Sequence, residues 1–438
     1  MSTKTVTVVG AGLAGCEAAL QIASRGIQVE LLEMKPLDKS EAHKSDDFAE
    51  LVCSNSFRAA AVENAVGLLK EELRLLGSEL IQSADQHRLP AGGALAVDRD
   101  LFAASVTEKI KRHPLIHQRT EKVSGIPDAE IVVIATGPLT DGGLFEQIGS
   151  LLGMDRLYFF DAAAPIVTLE SLDQQVVFRQ SRYDKGGADY LNCPLDEQQY
   201  LAFYHELINA ELADVKEFER EIVFEGCMPI ETMAKRGVDT MRYGPLKPVG
   251  LVDPATGKMP YACVQLRQDD RAGTLYNLVG FQTRLKFGEQ RRVFGLIPGL
   301  ANAVFARYGV MHRNTFLHSP GFLSAGFEAL TRPGLFFAGQ MTGVEGYVES
   351  IASGLVAGVN AARLAKGGPA DFILPPITMI GALSHYVSDP RIQNFQPMNA
   401  NFGLIAPLTE KVKGKKNRGV AYAGRSLKWI EEFKKTTD

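Results

Sequence analysis

Apolar and polar positions follow several distinct rhythms along the chain, and each rhythm specifies an element. Val6-Thr7-Val8-Val9 is a short β-branched run of the kind that fills a buried strand. Leu13 to Ser24 is small and apolar on most faces, the pattern of a helix packed beneath a sheet, and Gln28 to Glu33 is a second apolar strand. These three segments predict a βαβ unit. Leu68, Leu69, Leu73 and Leu76 fall at helical spacing, with Glu71, Glu72 and Arg74 on the other side. Asp100, set before an apolar-periodic run, predicts the cap of a helix reaching Lys111. Ile131 to Ile134 predicts another buried strand, ending in Ala135-Thr136-Gly137.

From about Asp161 to His318 the texture changes. Alternating segments (Val176 and Phe178, Ile222 and Phe224) mix with turns such as Tyr243-Gly244-Pro245 and Asp253-Pro254-Ala255-Thr256-Gly257. That mixture predicts an α+β lobe inserted into the first fold. The sheet pattern returns at Gly334–Gly339, followed by a helix from about Val348 to Ala365 and a tail rich in lysine from Glu410. The expected division is therefore 1–160, an insertion over 161–320, and 321–438 returning to the first domain with a basic tail. At 438 residues, more than one core is the prior.

Composition narrows the class. The chain is 45% hydrophobic and 22% charged, with 42 glycines and a net charge of −4, so any nucleic-acid contact must come from local basic patches. No apolar run approaches the roughly 20 residues that span a bilayer, and no signal peptide precedes the first strand. Five scattered cysteines (Cys16, Cys53, Cys193, Cys227, Cys263) suit a reducing, cytoplasmic setting better than a disulfide framework. No zinc-type spacing, phosphate-binding Walker loop or serine-nucleophile elbow occurs, so no metal site is expected.

Gly10-Ala11-Gly12-Leu13-Ala14-Gly15 stands directly after one strand and opens one helix. In that setting Gly10 permits a tight turn, Gly12 lets backbone approach a pyrophosphate, and Gly15 lets helix and strand close up. The phosphates would lie at the helix N-terminus, where free N–H groups favour negative charge. Glu33 closes the second strand and suits ribose hydroxyls, which disfavours a 2′-phosphate and leaves FAD or NAD. Two further segments favour FAD. The strand ending at Thr136 and Gly137 resembles a second contact strand of flavoproteins. Gly339-Gln340-Met341-Thr342-Gly343-Val344-Glu345-Gly346-Tyr347 joins a strand to a small-residue helix whose N-terminus could stabilise charge on a reduced flavin ring. The expected fold class is α/β, a Rossmann-like FAD-binding domain with an inserted α+β domain.

The pairing of Gly10–Gly15 with Gly339–Tyr347 resembles the GidA-type flavoproteins that modify tRNA. Leu51-Val52-Cys53-Ser54-Asn55-Ser56-Phe57-Arg58, Glu225-Gly226-Cys227-Met228-Pro229-Ile230-Glu231 and Met311-His312-Arg313-Asn314-Thr315-Phe316 resemble the short branch of that family, the folate- and FAD-dependent tRNA (uracil-5-)-methyltransferases. The resemblance covers essentially the whole chain. It implies formation of 5-methyluridine at position 54 of the tRNA T loop. The one-carbon unit would come from 5,10-methylenetetrahydrofolate, with NAD(P)H as reductant through FAD. Family chemistry also gives the flavin a role as carrier of the methylene group.

The chemistry of uracil agrees. C5 is a weak nucleophile until a thiolate adds at C6, and cysteine is the ordinary side chain suited to that step. Cys227 is the candidate nucleophile. Cys53, in a polar loop with Arg58 nearby in sequence, is the second catalytic candidate, a role the resemblance also implies. Cys16, Cys193 and Cys263 read as small buried hydrophobes. Arg58, Arg284, Lys286, Arg291, Arg292, Asn314 and the cluster Lys411, Lys413, Lys415, Lys416 and Arg418 are candidate substrate contacts, against the ordinary reading of charge runs as solvated faces. Competing functions are the same chemistry on ribosomal RNA, a wobble-uridine modification, a plain NAD(P)H–flavin oxidoreductase, and a flavin-bearing RNA-binding or scaffold protein without turnover. Neither the nicotinamide site nor the oligomeric state is legible.

Overall fold

The computed structural model describes residues 4–153, 157–213 and 228–437. A parallel sheet of five strands runs, in spatial order, Leu335–Phe337, Val132–Ile134, Val6–Val9, Val29–Glu33 and Ile116–Thr120. The first strand is central, pairing Val6 with Val29 on one side and Thr7 with Val132 on the other. Chain winding reverses between those two neighbours, which opens a crevice at the carboxyl ends of the strands. The glycine-rich loop borders that crevice on one side, and Thr136 and Gly137 border it on the other.

All eleven residues of the helix Leu13–Ala23 are buried, Glu17 and Gln21 included, which hydrogen-bond each other one turn apart. It lies against the later helix Tyr347–Ala365 with almost no side chain between them. A Cβ on Gly354 would stand 2.3 Å from the Ala14 carbonyl oxygen, and one on Gly358 would stand 2.7 Å from that of Ala18. Small residues at this four-residue spacing let two backbones touch, joining the two ends of the sequence.

Two sequence expectations change here. The helix expected from Asp100 spans Arg99–Arg112 and is capped by Asp98, whose carboxylate accepts the N–H groups of Asp100 and Leu101. Asp100 occupies the first turn instead. The leucine helix spans Ala65–Leu75, but Glu72, expected on its polar side, is fully buried. Its carboxylate accepts from the Met379 N–H (2.6 Å), the Ile380 N–H (2.8 Å) and the Ser426 hydroxyl (2.5 Å). It thus holds the start of the helix Met379–Ser388 and the middle of the helix Lys415–Thr437. Those two C-terminal helices close over Ala65–Leu75 and give a carboxylate there three donors. Burial pushes the Glu72 carboxyl up to about 7.

The sheet of the second lobe has six strands in the order Phe178–Arg179, Tyr190–Leu195, Ala262–Gln268, Leu275–Leu278, Ile166–Thr168 and Phe305–Arg307. Each of its pairings is antiparallel, and the helices Glu197–Asn209 and Phe287–Phe294 bury an apolar face with it. Leu157–Ala162 and Met311–Phe316 pair antiparallel where the chain enters and leaves this lobe. The strand expected at Ile222 and Phe224 lies outside the described residues. Cys16, Cys193 and Cys263 are buried, as expected of packing cysteines, and burial raises all three thiols. Among the described residues no helix is long and apolar enough to cross a membrane.

Candidate functional site

The strand Val6–Val9 delivers Gly10 at φ +94°, where a side chain would press within 2.7 Å of the Ala135 carbonyl oxygen. Gly15 faces back onto this turn, and a Cβ there would lie 1.8 Å from the Gly10 oxygen. Both glycines are demanded by the protein's own packing. Gly12 is different. Its φ of −74° suits any residue, and a Cβ on it would meet no protein atom within 4 Å. Gly12 caps the helix Leu13–Ala23 without any side-chain hydrogen bond, so the space above it adjoins a helix N-terminus. Open space at that place, kept clear by a glycine the fold does not need, fits a dinucleotide pyrophosphate.

Glu33, at the end of its strand, accepts the Ala11 N–H at 2.6 Å and the Lys35 N–H at 3.0 Å. The carboxylate therefore braces the glycine loop. Ala11, Leu13 and Ala14 are buried beneath it. Across the crevice, the Thr136 hydroxyl lies 2.6 Å from that of Thr140, and a Cβ on Gly137 would meet open space.

The second glycine block follows the strand Leu335–Phe337 and turns through Gln340–Thr342. The Gly339 N–H donates to the Ser353 hydroxyl (2.7 Å), Gln340 donates to the Glu345 carboxylate (2.5 Å), and the Glu345 N–H reaches the Met398 carbonyl (2.9 Å). Gly343 and Gly346 both take positive φ, and Gly346 caps the helix Tyr347–Ala365. Two helix N-termini thus open from glycine turns on the same parallel sheet, and their helices touch through Gly354 and Gly358.

Cys53 belongs to this assembly. The Tyr347 hydroxyl, in the first turn of the second helix, accepts the N–H groups of Cys53 (2.8 Å) and Ser54 (3.0 Å). Burial raises the Tyr347 phenol above its ordinary value, with the Cys53 charge adding to it. Cys53 itself is partly exposed. Three arginines from distant parts of the chain hold its loop. Arg99 donates to the Leu51 carbonyl (2.8 Å) and to Asp269 (2.9 Å). Arg267 donates to Ser54 (2.8 Å) and Asn55 (3.0 Å), and Arg307 to the Val52 carbonyl (2.5 Å).

All three guanidinium groups interact electrostatically with Cys53. Burial pushes Arg267 and Arg307 down. It works against Arg99 too, but Asp269 more than restores that charge. The Nε atoms of Arg99 and Arg307 are buried with no hydrogen-bond partner among the described residues. Buried positive charge around a cysteine loop can stabilise an anion there, a thiolate included. Sequence reading missed these arginines; the motif around Cys53 gave no pointer to partners 46 to 254 residues away.

Of the remaining candidates, Arg58 forms an ion pair with the buried Glu349. Asn314 is buried in the strand Met311–Phe316. The Arg284 backbone N–H donates to the Glu231 carboxylate (2.9 Å). Lys411, Lys413, Lys415 and Lys416 are exposed before and at the start of the helix Lys415–Thr437. Cys227 lies outside the described residues. Its neighbours in sequence, Met228 and Ile230, are buried, Ile230 in the apolar core of the second lobe.

Residues 5–369 match the family model described as GIDA, glucose inhibited division protein A. A protein of Bacillus mycoides (strain KBAB4), named methylenetetrahydrofolate--tRNA-(uracil-5-)-methyltransferase TrmFO, is 58% identical over 433 residues, covering 99% of each chain. The protein of that name from Bacillus cereus (strain AH187) is 59% identical over the same coverage. Among solved structures, Aquifex aeolicus GidA superposes with a TM-score of 0.71 at 17% identity, covering 98% of this chain and 76% of that one. At that identity the likeness shows a common fold.

Proposed function

The chain belongs to the GIDA family, in its TrmFO branch, and from that membership we propose that it is a 5,10-methylenetetrahydrofolate- and FAD-dependent tRNA methyltransferase. Its product is 5-methyluridine at position 54 of the T loop, with NAD(P)H as reductant. The observation that carries this reading is near-full-length identity, 58% across 99% of both chains, with relatives named for that reaction. The site's own geometry supports the cofactor. The clear space over Gly12, the braced Glu33 carboxylate and the turn at Gly137 suit the adenosine and pyrophosphate of FAD, while the Gly339–Gly346 turns suit its flavin end. Bound FAD would supply hydride and handle the one-carbon unit. We read residues 1–160 and 321–438 as the FAD-binding domain and 161–320 as the lobe facing RNA.

The protein residues have separable tasks. Cys227 adds its thiolate to uracil C6, which makes C5 nucleophilic. Cys53 stands beside the second glycine block, tied to Tyr347 and ringed by Arg99, Arg267 and Arg307. That position suits it to handle the C5 proton or to hold a reaction intermediate.

The test is methyl transfer to unmodified tRNA in vitro, omitting folate donor, NAD(P)H and FAD in turn, with the product position mapped. Cys227→Ala keeps its yellow colour and NAD(P)H-driven flavin reduction but forms no 5-methyluridine. Methyl transfer retained by that variant removes Cys227 from the role. Product mapped to ribosomal RNA or to the anticodon would replace the substrate.

A further inference from the structure

Three aromatic rings from two separate segments form a ladder on the second lobe. Phe305 stacks on Tyr308 with centroids 5.1 Å apart and planes 6° from parallel, and Tyr308 stacks on Phe287 at 4.7 Å and 19°. The inner ring, Phe305, packs on the lobe's apolar core. The outer ring, Phe287, is 55% exposed. An exposed phenylalanine ordinarily has freedom to swing. This one is held flat by two rings beneath it, so its orientation is set before anything binds.

The position of the ladder in the molecule gives it a task. Arg307, between Phe305 and Tyr308 in sequence, reaches down to the Val52 carbonyl of the Cys53 loop. On the other side, Phe287 follows a stretch on which the chain docks twice. The Ala213 N–H donates to the Arg284 carbonyl (2.8 Å), and the Ile230 N–H donates to that of Gln282 (2.7 Å). The ladder is therefore anchored next to the loop bearing one proposed catalytic cysteine and next to both described flanks of the segment bearing the other.

Cations are within reach of the ladder, although carboxylates balance them. Arg291 donates to the Tyr308 hydroxyl (2.5 Å) at the rim of the stack. Lys286 and Arg292 are exposed beside it, paired with Glu211, Glu206 and Glu289. Exposed pairs of this kind are weak, and phosphates can compete for the cations. A flat, prealigned ring with cations around it is the arrangement proteins use to hold an unstacked base of single-stranded RNA.

We propose that the outer face of Phe287 is a stacking platform for a nucleobase of the RNA substrate, one displaced from its loop when the target uridine enters the site. The proposal rests on the tRNA reading above and names a contact within it. Tyr308 and Phe305 stiffen the platform, and Arg291 fixes the edge of Tyr308 while facing the backbone.

The experiment measures equilibrium binding of unmodified tRNA transcript to FAD-loaded protein at fixed salt, for wild type and for Phe287→Ala, Phe287→Leu and Phe287→Tyr. From the stacking energy of one base, Phe287→Ala raises Kd roughly 5- to 150-fold. Phe287→Leu, apolar but without a π face, weakens binding in the same direction, and Phe287→Tyr stays close to wild type. Flavin content is unchanged, and the thermal midpoint falls by no more than about 1–3 °C, because the half-exposed side chain gives up only its stack on Tyr308. Wild-type binding that Phe287→Ala leaves intact overturns the platform while the tRNA reading stands. So does a variant whose defect lies in folate affinity alone. Wild-type protein that does not bind the transcript overturns both.

Discussion

Gly12 and Gly15 belong to one motif but answer to different masters, and substituting each separates cofactor binding from folding. At Gly12 the backbone is ordinary and a Cβ meets nothing within 4 Å. Gly12→Val in the flavin-free protein therefore alters stability by only about 1 kcal/mol, the scale of a changed helix cap. At Gly15 a Cβ would lie 1.8 Å from the Gly10 carbonyl oxygen, so Gly15→Ala forces helix and strand apart and costs about 1–3 kcal/mol or more. With flavin the ranking changes. A cofactor at 100 times its Kd stabilises the fold by about 2.7 kcal/mol, worth roughly 3–5 °C in thermal midpoint for a chain of this size. Gly12→Val, whose methyls fill the pyrophosphate's place, loses all of that increment and purifies colourless. The assay is thermal unfolding with and without added FAD, alongside a fluorescence titration of flavin into apoprotein. A yellow Gly12→Val protein with a normal flavin-dependent shift refutes the placement of the cofactor. Apoprotein destabilised as much by Gly12→Val as by Gly15→Ala refutes the packing argument.

Two more outcomes follow from buried groups. Tyr347→Phe keeps the ring against Phe57 but leaves the Cys53 and Ser54 N–H groups without their acceptor, costing about 1–3 kcal/mol. Urea unfolding and the rate of Cys53 alkylation report it, and a variant as stable as wild type with Cys53 no more reactive contradicts it. Glu72, raised from 4.5 unfolded to about 7 folded, binds its proton more tightly in the native state. Its contribution is present below pH 4.5 and is lost as pH rises to 7, by up to about 3 kcal/mol. Glu72→Gln removes this term, so unfolding free energy falls less between pH 5 and 7 than in wild type; an unaltered slope sinks the assignment.

Local patterns carried the sequence reading where the physics is local. Val6–Val9, the glycine turn and Val29–Glu33 are contiguous, and their periodicity and turn chemistry specify a βαβ unit without outside help. Glu72 shows the limit. Its helix face looks polar, and the face is covered only because two helices some 300 residues later fold onto it. Asp98 and Asp100 are both acids at the same helix start, and the backbone angles that make Asp98 the cap have no trace in composition. The arginines around Cys53 escaped for a related reason. Arg99 sits in one lobe while Arg267 and Arg307 sit on strands of the other, and the meeting of the lobes brings them together. The aromatic ladder likewise joins residues 287, 305 and 308 through sheet packing that no short window displays.

The order of strands in the parallel sheet has a consequence for how the polypeptide is made. Val132–Ile134 needs Val6–Val9 on one flank and Leu335–Phe337 on the other. Translation delivers the first flank early and the second about two hundred residues later, on the order of 10–40 s at usual ribosome speeds. Through that interval the nascent chain carries an apolar ribbon with one open, hydrogen-bond-hungry side, the kind of edge that recruits strangers. Completion of the sheet must wait for the intervening lobe to emerge, so slowing the ribosome within that lobe, or crowding it with unfolded neighbours, lengthens the period in which the newborn protein is vulnerable to aggregation.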